Sequence, residues 1–168
     1  AAYSSGKPAY GVGTGNAMVI VDETVDVADS AAKIATSKTF DLASGCSADN
    51  GCLVHDSVYR ELVDRLEENG GFLVRQGSDE KQRLRSIMWT ERNVLNREII
   101  ARPARLIAEK AGIDVPEGTK FIIVEEDGVG DNFPFSREKL SPVLTLYRWS
   151  EFDRAVDMVN EITANCGA

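Results

Sequence analysis

Residues 52–74 read CLVHDSVYRELVDRLEENGGFLV, and their periodicity sets the fold. Cys52-Leu53-Val54 is a short apolar run of the kind that forms a buried strand. From about Asp56 to Glu68 the period changes: Tyr59, Leu62, Val63 and Leu66 recur at i, i+3, i+4 and i+7, which gives a helix one buried stripe. Asn69-Gly70-Gly71 ends that helix, because glycine accepts the left-handed conformation a helix terminus often needs. Phe72-Leu73-Val74 then begins another strand.

The same alternation continues outward in both directions. Upstream, Ala17-Met18-Val19-Ile20-Val21 reads as a strand, and Asp26 is placed to cap a helix whose inner face is Val27, Ala31, Ile34 and Ala35. Downstream, Ser78 caps a helix with Leu84, Ile87 and Met88 inside. The stretch from Glu91 to Arg102 has no clear period. Pro103 suits the first turn of a helix running to Lys110 and stopped by Gly112. Phe121-Ile122-Ile123-Val124 is the clearest strand, Glu125 to Asn132 an acidic loop or lid, and Val143 to Tyr147 the last strand. Ser150-x-x-Asp153 opens a final helix with Phe152, Ala155, Val156, Val159 and Ile162 on one face. Near-continuous apolar strands between helices need cover on both faces of a sheet. The expected fold is α/β, a three-layer αβα sandwich with a mostly parallel sheet, forming one domain over residues 1–168.

Composition narrows the function. The chain has 168 residues, 43% hydrophobic and 27% charged, with 19 Lys plus Arg against 27 Asp plus Glu for a net charge of −8. That field repels phosphate backbones and anionic membrane surfaces, so nucleic acid and membrane are not expected partners. No apolar run approaches the roughly 20 residues that span a bilayer, and the first residues lack the order of a signal peptide. Three cysteines, Cys46, Cys52 and Cys166, are few and odd in number, which fits a reducing, cytoplasmic setting. The single histidine, His55, and the Cys46-x5-Cys52 spacing do not make a zinc site, so no metal is expected.

Several residues could carry chemistry. Gly11-x-Gly13-x-Gly15 precedes a strand, where a dinucleotide fingerprint should follow one and open a helix; a turn whose glycines supply positive φ or let two backbones approach is the better reading. Cys46 lies in a polar, Gly-bearing stretch between a helix and a strand. A reactive thiol needs such exposure and nearby N–H dipoles, yet composition alone leaves nucleophile and plain loop cysteine equal. Cys52 is expected in the core and Cys166 near an exposed terminus. His55, at a strand-to-helix junction, reads as a helix-capping or surface residue ahead of a base for Cys46. Glu125, Glu126 and Asp127 read as a solvated acidic turn ahead of paired catalytic carboxylates.

Four motifs in order then resemble the coenzyme A-acylating aldehyde dehydrogenases over essentially the whole chain: Ala2 to Ala9, Gly11 to Asn16 leading to Val21-Asp22-Glu23-Thr24, Ser37-Lys38-Thr39-Phe40-Asp41 before Cys46, and Pro134 to Pro142. Within that family the chain looks closest to enzymes acting on acetaldehyde or sulfoacetaldehyde. The resemblance implies that Cys46 is the nucleophile, forming a thiohemiacetal and then a thioacyl enzyme with NAD or NADP as hydride acceptor and coenzyme A as acyl acceptor. It implies that the Cys46 backbone N–H is one oxyanion donor. It also implies that Glu138 and the turn around Gly13 meet the nicotinamide ribose; Ser141 stands where the related hydrolytic enzymes have Gly in Glu-x-x-Gly-Pro. Those enzymes have a Glu in the place of Val12, and a valine there cannot activate water against the thioester. The family's Rossmann-type cofactor domain is not in this chain, which looks like most of a catalytic domain from a homo-oligomeric enzyme. The rival expectations are a binding or scaffold module with a buried, unreactive Cys46, and an acyl-phosphate reductase, for which no basic residue stands near Cys46 in sequence.

Overall fold

The computed structural model describes residues 2–10 and 15–166, apart from the side chain of Cys166. Val12 and Gly13 therefore lie outside the described residues. Five strands, β1 (Met18–Val21), β2 (Gly51–His55), β3 (Gly71–Val74), β4 (Phe121–Glu125) and β5 (Val143–Trp149), form one sheet in the order β1-β2-β5-β4-β3. All four pairings are parallel. The helices are α1 (Val27–Thr39), α2 (Asp56–Glu68), α3 (Asp79–Met88), α4 (Ala104–Lys110) and α5 (Phe152–Cys166).

The Asp26 and Ser78 caps expected from sequence are present. Asp26 accepts the Asp29 N–H at 3.0 Å and Ser78 the Lys81 N–H at 3.2 Å. Strand residues alternate between the two faces. Val21, Cys52, Val54, Phe121, Ile123, Leu144 and Leu146 pack under α1 and α2. Val74, Ile122, Val124 and Val143 pack under α3 and α4, while Leu53, Tyr147 and Trp149 meet α5. The chain moves across the sheet with α1 and α2 on one face and returns with α3 and α4 on the other, as right-handed crossovers require when direction reverses.

Gly71 shows how closely α2 is seated. A methyl group there would lie 2.6 Å from Ile123 Cδ1 and 2.9 Å from the Leu66 carbonyl oxygen. The carbonyl belongs to the last turns of α2 and cannot retreat, so Gly71→Ala is expected to cost roughly 1–3 kcal/mol, read as a lower urea midpoint.

Some expectations are corrected. The inner face of α5 is Ala155, Met158 and Ile162 with Val159 packed beside them, and Phe152 and Val156 are exposed, because the helix turns its 155/158/162 stripe to the sheet. The Glu91–Arg102 stretch folds as an antiparallel bridge between Trp89 and Leu95 followed by a 3-10 turn, Arg97–Ile99. Pro103 caps α4 from just outside its first turn. Of the acidic turn, Asp127 is exposed as expected, but Glu125 and Glu126 are not solvated. Glu126 is only 4% exposed and pairs with Lys81 Nζ at 2.9 Å. Glu125 accepts hydrogen bonds from the Tyr59 hydroxyl and the Gln76 N–H, both at 3.0 Å. These carboxylates tie α2, α3 and β4 together. No described helix is long and apolar enough to cross a membrane.

Candidate active site

Three loops converge at the amino ends of neighbouring strands: Gly15-Asn16 entering β1, Cys46 to Asn50 entering β2, and Arg137 to Pro142 entering β5. Open α/β sheets more often bind ligands at the carboxyl ends of their strands. Here the carboxyl end carries His55 and Glu125, so β2 itself, about 13 Å long at 3.3 Å per residue, separates His55 from the Cys46 loop. His55 caps α2, accepting the Ser57 N–H, and stacks edge-on against Trp149 at 4.8 Å. It is not a partner of Cys46.

Cys46 is exposed and Cys52 is fully buried. Burial pushes the Cys52 thiol far above its ordinary range, since a thiolate there would lose its hydration; Asp49 pushes it the same way. The segment before Cys46 is strained: Asp41, Leu42 and Ala43 have φ of 46°, 53° and 51°, a left-handed run that side chains disfavour. Gly15 backs the Cys46 loop directly. A methyl at position 15 would sit 3.0 Å from Cys46 Cβ and 3.1 Å from its carbonyl oxygen, so the close-approach reading of that glycine holds. On the outer side of the loop, an open cavity of about 530 Å³ is lined by residues including Ala32, Thr36, Phe40, Gly45 and Ser47.

Buried polar groups hold the three loops together. Asn16 donates to the Ser136 carbonyl at 2.9 Å and accepts from Asn50 Nδ2. Lys139, fully buried, donates from Nζ to the Phe135 and Arg137 carbonyls at 2.9 and 3.1 Å. The Asp49 N–H donates to Ser37 Oγ at 3.1 Å, joining the loop to α1. Glu138 is half-buried, and its Oε1 is enclosed with no hydrogen-bond partner among the described residues. Burial raises the pKa of Glu138 above the ordinary carboxylate value, against the pull of Lys139 and Lys38. Lys38 is 1% exposed, and burial lowers it to about 8, partly opposed by Cys52, Asp49 and Glu138. Sequence reading passed over Lys38, Lys139, Asn16 and Asn50. Lys38 alone had left a signal, since it extends the buried Val27, Ala31, Ile34, Ala35 stripe by one further step of three.

Among the described residues no cluster of His, Cys, Asp or Glu could hold a metal ion. No protein-family model matches the chain. The fold and loop arrangement are those of an aldehyde dehydrogenase: the acetylating aldehyde dehydrogenase of Geobacillus thermoglucosidasius superposes with a TM-score of 0.90 at 37% identity, over 98% of this chain and 36% of that one. In sequence the chain is 44% identical over 169 residues to the acylating sulfoacetaldehyde dehydrogenase of Cupriavidus necator, covering 99% of this chain and 34% of the relative. It belongs to the acylating aldehyde dehydrogenase family, and spans about a third of the length of the curated relatives it matches. A propionaldehyde dehydrogenase of Rhodopseudomonas palustris, 27% identical with a TM-score of 0.81 over 95% of this chain and 36% of that one, was solved with bound CoA and an acylated cysteine.

Proposed function

We propose that this chain supplies the nucleophile and one cofactor-binding carboxylate of an enzyme that oxidises a small aldehyde and passes the acyl group to coenzyme A. The observation that carries this reading is the exposed Cys46 on a turn backed by bare glycine, beside a Cys52 that burial keeps inert. The Cys46 thiolate attacks the aldehyde carbon, forming a C–S bond while the carbonyl oxygen takes the negative charge. The Cys46 backbone N–H stabilises that oxygen. NAD or NADP, when bound, supplies the hydride acceptor that turns the adduct into a thioester. Coenzyme A thiolate then displaces the Cys46 sulfur, giving acyl-CoA and the free thiol.

Glu138 suits the cofactor. Its enclosed Oε1 lacks a donor, and vicinal ribose hydroxyls would supply one, as charge-assisted bonds. Val12 in place of a carboxylate favours acyl transfer over hydrolysis, because no base stands there to activate water. The chain then forms most of a catalytic domain, with the adenosine half of the cofactor held elsewhere in a longer, cytoplasmic, homo-oligomeric enzyme. A scaffold module would need an enclosed Cys46, and the thiol is exposed.

Iodoacetamide at limiting concentration, with mass mapping of the folded chain, is expected to modify Cys46 before Cys52 and Cys166. First labelling at either of the others would overturn the assignment.

A further inference from the structure

Asn50 lies four residues after Cys46 and is 4% exposed, with every polar group engaged. Its N–H donates to the Ala17 carbonyl at 2.8 Å, ahead of β1, and its carbonyl accepts the Thr145 N–H of β5 at 3.2 Å. The side chain reaches across to the Glu138 loop. Nδ2 donates to the Arg137 carbonyl at 2.9 Å and to Asn16 Oδ1, while Oδ1 accepts the Lys139 N–H at 3.2 Å. The orientation of the amide is not free. A carbonyl can only accept and a backbone N–H can only donate, so Nδ2 must face Arg137 and Oδ1 must face Lys139. One side-chain amide thus holds the peptide groups on both sides of Glu138, from the loop that carries the nucleophile.

We infer that Asn50 is a positioning residue that fixes Glu138 relative to Cys46, and so sets how the nicotinamide ribose is presented to the thiol. This rests on the roles proposed above for Cys46 and Glu138. The amide belongs to the same short segment as Cys46, so a shift of either loop moves both functional groups together. A buried hydrogen-bonded clamp of this kind preserves reacting geometry that small displacements would lose.

Asn50→Asp tests it, because the substitution keeps the shape and the acceptor for Lys139 but turns both donors into a carboxylate oxygen facing the Arg137 carbonyl. In the polypeptide at its full natural length, the cofactor KM is expected to rise about tenfold, with the aldehyde KM and the rate of Cys46 alkylation within about twofold. Thr145→Val is the structural control. It removes the buried Thr145 hydroxyl that donates to the Phe135 carbonyl at 2.7 Å in the same loop, without touching the peptides that flank Glu138. It should leave the cofactor KM within about twofold. A rise under about threefold in Asn50→Asp, or an equal rise in Thr145→Val, overturns the inference. If the aspartate variant does not fold, Asn50→Ser removes both Nδ2 donors and the Oδ1 acceptor without adding charge and is judged by the same thresholds. Cys46→Ser separates the two levels: if it retains full activity, the proposed function fails; if it is inactive and Asn50→Asp binds cofactor normally, only the positioning role fails.

Discussion

Cys46→Ser at full length is expected to lower aldehyde-dependent NADH formation by at least about a thousandfold, because a serine hydroxyl is a far weaker nucleophile without an adjacent base. The histidine and the paired carboxylates of the sheet stand elsewhere. His55 caps α2 at the opposite end of β2, accepting the Ser57 N–H. The carboxylates Glu125 and Glu126 lie at that far end too, engaged with Tyr59, Gln76 and Lys81. Cys52→Ala is the matched comparison. It removes a thiol that is fully buried and so should change stability while leaving the reaction within about threefold. Initial rates with acetaldehyde and coenzyme A, with circular dichroism confirming the fold, check both. Residual activity in Cys46→Ser within tenfold of the parent would place the nucleophile elsewhere.

Lys38→Met should stabilise the chain by about 3 kcal/mol at pH 7. Burial lowers the lysine from 10.5 in the unfolded chain to about 8 in the folded one, so the folded state binds fewer protons between those values. Stability of the parent therefore rises with pH across that window, and the full penalty of a buried ammonium is present below about pH 8. Methionine has similar length and no charge, and removes the penalty. The advantage of the variant should shrink between pH 8 and 10.5, as the parent lysine loses its proton in both states. Urea unfolding of both proteins at pH 7, 9 and 10.5 measures the difference directly, and other titrating groups cancel in the subtraction. A constant difference across that range would mean that Lys38 is not desolvated.

The elements of the fold were legible because each rests on local chemistry. The 59/62/63/66 stripe of α2, the Asp26 and Ser78 caps and the apolar strand Phe121–Val124 declare themselves within a few residues. Cys46 was legible as a loop thiol, and the motifs around it raised it to a nucleophile. What was not legible depends on distance along the chain. Asn16 meets Asn50 across 34 residues of sequence and Ser136 across 120, and Asn50 meets Lys139 across 89; polar side chains in a loop read the same whether they face water or one another. The acidic stretch misled for that reason too, since Lys81, which buries Glu126, lies 45 residues away. In α5, hydrophobic Phe152 and Val156 share the helical spacing of the buried stripe while facing outward.

The strand order has a consequence for biosynthesis. β5 is made after the other four strands of this sheet, yet it lies in the centre, pairing Gly51 with Thr145 on one side and Val124 with Thr145 on the other. Of these strands, a nascent polypeptide that has reached residue 142 holds two ribbons, β1 with β2 and β3 with β4, each with an unpaired inner edge. Such edges are templates for misplaced pairing. The ribosome must therefore deliver residues 143–149 before the two halves can close, and until that moment the thiol of Cys46 and the carboxylate of Glu138 have no fixed relation to each other.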